Sequence, residues 1–184
     1  DNQCYRWSIG DADGTDAAIR GAAHVTRLAF RNNRLIPNAI EPRAANASYN
    51  AAADEYTLYV ANQNPHVERL LMCAFVLGIP EHKIRCISPD VGGAFGSKIF
   101  CYADMALVMW ASKGIGGLPV KWVEGRRESF GSTIHGRDHI TYVEVAATRE
   151  GEVRGLRVKT LANLGGRLST IGPGVPTTLY GRVL

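Results

Sequence analysis

The densest chemistry in this chain lies in Gly92-Gly93-Ala94-Phe95-Gly96-Ser97, followed by Lys98. Three glycines in five positions let the backbone take positive φ angles or approach another body closely. Consecutive free N–H groups ahead of a helix N-terminus make a cradle for an anion: a phosphate, pyrophosphate or oxo-anion group of a cofactor. The same residues also build an ordinary tight turn, and spacing alone does not separate the two readings. Gln63 follows the strand-like Tyr59-Val60-Ala61-Asn62 and brings an amide that both donates and accepts. As a structural residue it would cap a helix or bond a loop. Phe95 is a large apolar side chain set among glycines, so it packs either into the core or against something bound. Lys98 reads as a solvated lysine at a helix start.

Other polar groups carry less. Glu41-Pro42-Arg43 is a rigid, extended stretch whose charges would orient a ligand or form a buried ion pair holding the fold. His135-Gly136-Arg137-Asp138-His139 invites a general-base reading. No serine or cysteine nucleophile has the expected company there, and structural hydrogen bonding is the plainer account. His66 falls in a first helical turn beside the suspected pocket, while His24 and His82 read as surface positions. Cys4, Cys73, Cys86 and Cys101 form no C-x-x-C pair and lie near no histidine at metal-ligand spacing. No metal site from this chain alone is expected, and the thiols read as buried and reduced, as in a cytosolic protein.

Composition narrows the class. The 184 residues are 46% hydrophobic, enough for one domain with a real core. Lys and Arg number 21 against 17 Asp and Glu, and only Arg126-Arg127 are adjacent, so there is no basic stripe for nucleic acid. No apolar run approaches the ~18 residues of a membrane span.

The elements that must position these groups follow from periodicity. Residues 1–24 read as a connector with a turn at 10–14 and a short helix at 16–23. Strands are expected at 25–30, 44–49, 56–60, 83–88 and 120–124. Asn64 as N-cap and Pro65 at the first position open a helix with an apolar face of Val67, Leu70, Leu71, Ala74, Phe75 and Leu77, stopped by Gly78. A second helix at 100–112 is apolar on several sides and so expected to be deeply buried. Residues 126–132 read as a short helix or turn. Two long alternating runs, 138–148 and 152–163, joined by Arg149-Glu150-Gly151, predict a β-hairpin. Beyond Gly165-Gly166, glycines and prolines predict a loop. The order gives an α+β fold, a mixed sheet with helices and a C-terminal β-hairpin. The two strand-to-helix loops, at Gln63 and at 91–98, are expected side by side at one sheet edge, where ligands bind.

Taken together, Ile40-Glu41-Pro42-Arg43-Ala44-Ala45, Tyr56-Thr57-Leu58-Tyr59, Gln63-Asn64-Pro65-His66, Gly78-Ile79-Pro80-Glu81-His82-Lys83 and Pro89-Asp90-Val91-Gly92-Gly93-Ala94-Phe95-Gly96-Ser97-Lys98 resemble the molybdopterin-binding large subunit of the xanthine oxidase family. The nearest likeness is to aerobic carbon monoxide dehydrogenase large chains. Lys121-Trp122-Val123-Glu124 and the segment 135–139 continue the resemblance, which runs in order over nearly the whole chain.

The resemblance implies a molybdenum cofactor-binding domain type of fold in an oxidoreductase that takes oxygen from water. It implies molybdopterin, of the cytosine dinucleotide form, with molybdenum, and copper as an undetermined addition. Gly92, Gly93, Ala94, Phe95 and Gly96 would line the cofactor, and Gln63 would hydrogen-bond an oxo ligand of the metal. An amide suits that role because it donates without adding charge to the redox couple. Ala94 departs from the family's more usual glycine and is tolerable only with a negative φ. Expected partners are an FAD-binding medium subunit and a 2Fe-2S small subunit, in a cytoplasmic dimer of heterotrimers acting on a small-molecule substrate. Residues 1–184 are expected to be a single domain or excised fragment, the first cofactor-binding domain. It would contain no catalytic base, need no cofactor of its own to fold, and have no turnover alone. An aldehyde or N-heterocycle dehydrogenase, and a cofactor-free structural or assembly module, stand as alternatives.

Overall fold

The computed structural model describes residues 2–166, 168, 174 and 177. In chain order the elements are α1 (Ala12–Gly21), β1 (His24–Asn32), β2 (Ala44–Asn50), β3 (Glu55–Val60), α2 (Pro65–Leu71), β4 (Ile84–Ile87), α3 (Ala103–Gly114), β5 (Val120–Val123), α4 (Arg126–Ser132), β6 (His139–Ala147) and β7 (Val153–Ala162). The expected α+β class and C-terminal hairpin are both present. The loop expected after Gly166 falls largely outside the described residues. The elements sort into two compact units, one from residues 1–35 and 137–184, the other from residues 36–136.

In the first unit the period-two sequences pair as antiparallel strands in the order β1-β6-β7. Register runs from His24 opposite Ala147 to Asn32 opposite His139, and Val143 faces Val158 across the hairpin. Gly151, at φ 92°, makes the turn. Helix α1 starts four residues before its expected position. Asp11 Oδ1 accepts from the Gly14 N–H at 2.9 Å, so residues that look like a turn are a capped helix start. Gly155 sits beneath this helix: a Cβ there would lie 3.0 Å from the Ala18 methyl.

The second unit is a four-stranded mixed sheet, β4-β3-β2-β5. Strands β3 and β4 are parallel; the other pairs are antiparallel. A parallel pair needs a crossover, here α2 and the π-helical turn Met72–Leu77. Gly78, at φ 64°, ends it. Leu58, Met72, Met105 and Met109 are sealed in the core between sheet and helices. Each such side chain stabilises the fold by about 2 kcal/mol.

Both helix faces differ from expectation. On α2 and the turn after it, Glu68, Met72 and Cys73 point inward, whereas Leu70 and Phe75 are exposed. The sequence holds two overlapping apolar sets, and the π-helical turn shifts the phase between them. The second helix also starts late, at Ala103. Tyr102 is extended, with its hydroxyl donating to Ser97 O at 2.7 Å. Only Met105, Val108, Met109 and Ser112 of α3 are buried; Trp110 is 72% exposed, so the helix is half covered rather than enclosed. All four cysteines are free thiols. Cys73 is buried, but Cys4 is exposed, contrary to the reading of every thiol as buried.

Candidate functional site

Parallel pairing of β3 and β4 brings their C-terminal ends to one end of the sheet, so the turns that follow them meet. The Gln63 N–H donates to Lys98 O at 3.1 Å. In return, Gln63 Oε1 accepts from the N–H groups of Gly96 (3.1 Å) and Lys98 (3.2 Å). One end of the amide is therefore fully engaged. Its orientation follows from that: Oε1 faces the loop, and the Nε2 hydrogens have no partner among the described residues.

The glycine loop is held at its other end by Glu41. The Glu41 N–H donates to Gly92 O, and Gly92 N–H donates back to Glu41 Oε2 at 2.9 Å. Lys98 Nζ donates to the same Oε2 at 2.7 Å and to Glu41 O at 2.9 Å. Lys98 is 1% exposed, so the reading of a solvated lysine is corrected: its ammonium is an internal post on which the loop closes. Burial pushes the Glu41 carboxyl up. The hydrogen bond and charge of Lys98 and the Gly92 amide outweigh this and hold it below its ordinary value. Gly92 must be glycine for contact reasons, since a Cβ would stand 2.6 Å from Glu41 Cβ.

Between these anchors the backbone is unusual. Gly93 (φ 93°), Phe95 (φ 54°) and Gly96 (φ 90°) are left-handed. Ala94 is not, which meets the condition its methyl imposes; it is buried, and Ser97 donates to its carbonyl through both N–H and Oγ. Phe95 is 78% exposed, so it does not pack in the core. A phenylalanine that is both left-handed and solvent-facing is strained by about 1–2 kcal/mol. The N–H groups of Gly93, Ala94 and Phe95 have no partner among the described residues. Three free amides and one exposed ring thus share a loop clamped at both ends, with the free NH2 of Gln63 beside it. Such a set of donors is suited to an anionic, partly flat group.

Behind this surface lies Arg43, which pairs not with Glu41 but with Glu124 (2.7 Å) and Asp104 (2.9 Å). The Glu41-Pro42-Arg43 stretch therefore belongs to two separate ion pairs. Asp138, the suspected partner of a catalytic histidine, is bonded to Arg34 and Asn163. Among the described residues no group of three or more His, Cys, Asp or Glu could hold a metal ion. Two hollows of the first unit, about 350 and 550 Å³, are lined by residues such as Ala18 and Arg154, and Arg27 and Tyr142; they contain no residue of the glycine loop. Sequence reasoning missed Glu68, a carboxylate inside the second unit. No sequence signal marked it, since a glutamate on an amphipathic helix reads as a surface residue.

The molybdopterin cofactor-binding domain family matches residues 1–184. The chain is 39% identical over 164 residues, 89% of its length and 20% of the relative's, to the carbon monoxide dehydrogenase large chain of Afipia carboxidovorans. It is 34% identical over 160 residues, 87% of the chain and 19% of the relative, to the nicotine 6-hydroxylase large subunit of Paenarthrobacter nicotinovorans. The crystal structure of a Cu,Mo-CO dehydrogenase in its carbon monoxide reduced state superposes with a TM-score of 0.76 at 39% identity, covering 86% of this chain and 20% of that one. The chain thus spans about one fifth of the length of these two curated relatives. With the clamped glycine loop and the oriented Gln63 amide already in place, the chain belongs to the molybdopterin cofactor-binding domain family, of the xanthine oxidase-type molybdenum-binding large subunits.

Proposed function

We propose that these residues grip the molybdopterin cofactor of a carbon monoxide dehydrogenase-like oxidoreductase, with Gln63, Gly92, Gly93, Ala94, Phe95 and Gly96 as the contacting residues. The observation that carries this reading is the Gln63 amide. Its oxygen is consumed by Gly96 and Lys98, so only N–H donors remain for a bound group. A fixed, uncharged donor stabilises an oxo ligand without altering the charge of the site. The unpartnered amides of Gly93, Ala94 and Phe95 bind pterin or phosphate oxygens, and the Phe95 ring covers an apolar face of the group. When bound, the cofactor supplies the two-electron redox centre and the site to which water brings oxygen.

The cofactor takes the cytosine dinucleotide form, and copper joins molybdenum if the substrate is carbon monoxide. The catalytic base lies outside these residues, so they have no turnover alone. The enzyme works in the cytoplasm with an FAD-binding medium subunit and a 2Fe-2S small subunit, as a dimer of heterotrimers. Among the described residues no helix is long and apolar enough to cross a membrane. Similarity to the nicotine 6-hydroxylase large subunit supports a second reading, hydroxylation of an N-heterocycle by the same cofactor grip.

Gln63→Ala in the assembled enzyme tests the assignment. The expected result is at least a tenfold loss of turnover or of bound molybdenum, with the unfolding midpoint unchanged. Full turnover with molybdenum retained removes Gln63 from the site.

A further inference from the structure

Glu68 is completely buried in the first turns of α2, directly behind the turn that carries Gln63. Its Oε2 accepts from Asn62 Nδ2 at 3.2 Å, and Asn62 is itself 3% exposed. The other end of the same Asn62 amide, Oδ1, accepts from the Asn64 N–H at 2.6 Å. Ser88 closes the arrangement from β4's end of the sheet, donating to Asn62 O at 2.7 Å. Asn62 thus spans the peptide of Gln63, and Glu68 holds Asn62.

We propose that Glu68 is a positioning residue, acting through Asn62 to fix the 62–64 turn that presents Gln63 to the glycine loop. Three buried acceptors, Asn64 Oδ1 in this turn, Glu68 Oε1 beside it and Asp104 Oδ2 on α3, have no hydrogen-bond partner among the described residues. A carboxylate adds an acceptor where donors are lacking, whereas a carboxylic acid supplies one donor. The surroundings favour the acid. Cys101 contributes only a thiol, and burial pushes both it and the nearby Cys86 thiol up to about 12, so both stay neutral. Asp104, on α3, faces Glu68 with a like charge, and its compensating cation, Arg43, bonds to Asp104 rather than to Glu68. Arg69, next along α2, spends its charge on Glu81. Burial first, then the Asp104 charge, raise the Glu68 carboxyl to about 7, against the lowering hydrogen bonds of Cys101 and Asn62. The proton therefore stays on in the folded protein up to about pH 7 and is lost above it. Above that value a carboxylate without a cation is sealed behind the turn; its desolvation cost outweighs the stronger bond from Asn62, so the turn loosens as pH rises through it.

The importance of this turn for the reaction rests on the cofactor reading of Gln63; its rigidity does not. The test is hydrogen exchange in the assembled enzyme, read by mass spectrometry on the segment carrying Gly96 and Lys98. Rates are corrected for the intrinsic pH dependence and compared at pH 6 and pH 8.5. The native protein is expected to exchange at least fivefold faster at pH 8.5. Glu68→Gln keeps a donor and an acceptor at every pH and is expected to stay slow at both. Asn62→Ala is expected to be fast at both, and Asp104→Asn to keep the native pH response. A pH response that survives Glu68→Gln overturns the proposal, as does one abolished by Asp104→Asn. If Gln63→Ala retains molybdenum and turnover while these exchange results hold, the cofactor reading fails and the positioning role stands.

Discussion

Glu41 and Arg43 flank one proline, and each is bonded to an opposite charge far along the chain, yet the two pairs differ in kind. Around Arg43 the guanidinium's partners are all side chains; Glu124 is sealed, Asp104 is half-buried and Ser132 is exposed. Glu124 takes Nε and Nη2, Asp104 takes Nη1, Ser132 takes Nη2, and the guanidinium lies 3.6 Å from the Tyr102 ring centre. These contacts join the start of β2 to α3, to the end of β5 and to α4. Glu41 is different: its carboxylate is 37% exposed and spends itself on a backbone amide and on one buried ammonium. The first cluster fixes elements relative to one another. The second fixes the curvature of a single loop and leaves one side open, so that three amides of that loop remain unpaired. In the Arg43–Glu124 pair both charges are buried, as suits a contact that holds the fold; in the Lys98–Glu41 pair only one is, beside unpaired backbone, as suits the scaffold of a candidate site.

The largest test of this contrast is Arg43→Met. It leaves the Glu124 carboxylate, whose side chain is fully buried, without its cation. A loss of about 3–5 kcal/mol in denaturant unfolding of the assembled enzyme is expected. A loss below ~1 kcal/mol would mean that the Arg43 cluster does not hold the fold. Glu41→Ala is smaller in stability, about 2 kcal/mol, because Lys98 keeps one carbonyl partner and the lost carboxylate was half in water. Its signature is instead a fall in molybdenum content. The Glu41 contribution also has a pH sign. Its folded carboxyl titrates below the ordinary 4.5, so the pair is complete above that value and is lost as pH falls through the lower, folded one. Molybdenum release on acidification should therefore begin at higher pH in Glu41→Gln than in the native enzyme. Smallest in stability is Phe95→Gly, which relieves the left-handed φ. It should gain up to ~1 kcal/mol in thermal unfolding while weakening cofactor retention. Unchanged retention would leave the exposed ring without a partner.

Much of the candidate site was legible because it is local. The Gly92–Lys98 run, the Gln63 position after a strand, and the Pro65 helix start all declare themselves through residue type and order. The expected adjacency of the two strand-to-helix loops also appears, as the three hydrogen bonds linking Gln63 to Gly96 and Lys98. What could not be read was the fate of charges. Lys98 looks like any helix-start lysine until Glu41 is brought across from 57 residues away. Glu68 looks like a surface residue of an amphipathic helix, because only the π-helical turn decides which stripe faces the sheet.

The sequence by itself determined the strands, most of the helices, the kind of backbone at the glycine loop and the family, since dihedral preference and hydrophobic period act over a few residues. Only the tertiary structure decided which charges pair, which way the Gln63 amide points, that Phe95 faces outward, and that Glu68 is sealed behind the turn. Those outcomes depend on desolvation and on partners brought together by packing, and neither is a property of neighbours in the chain.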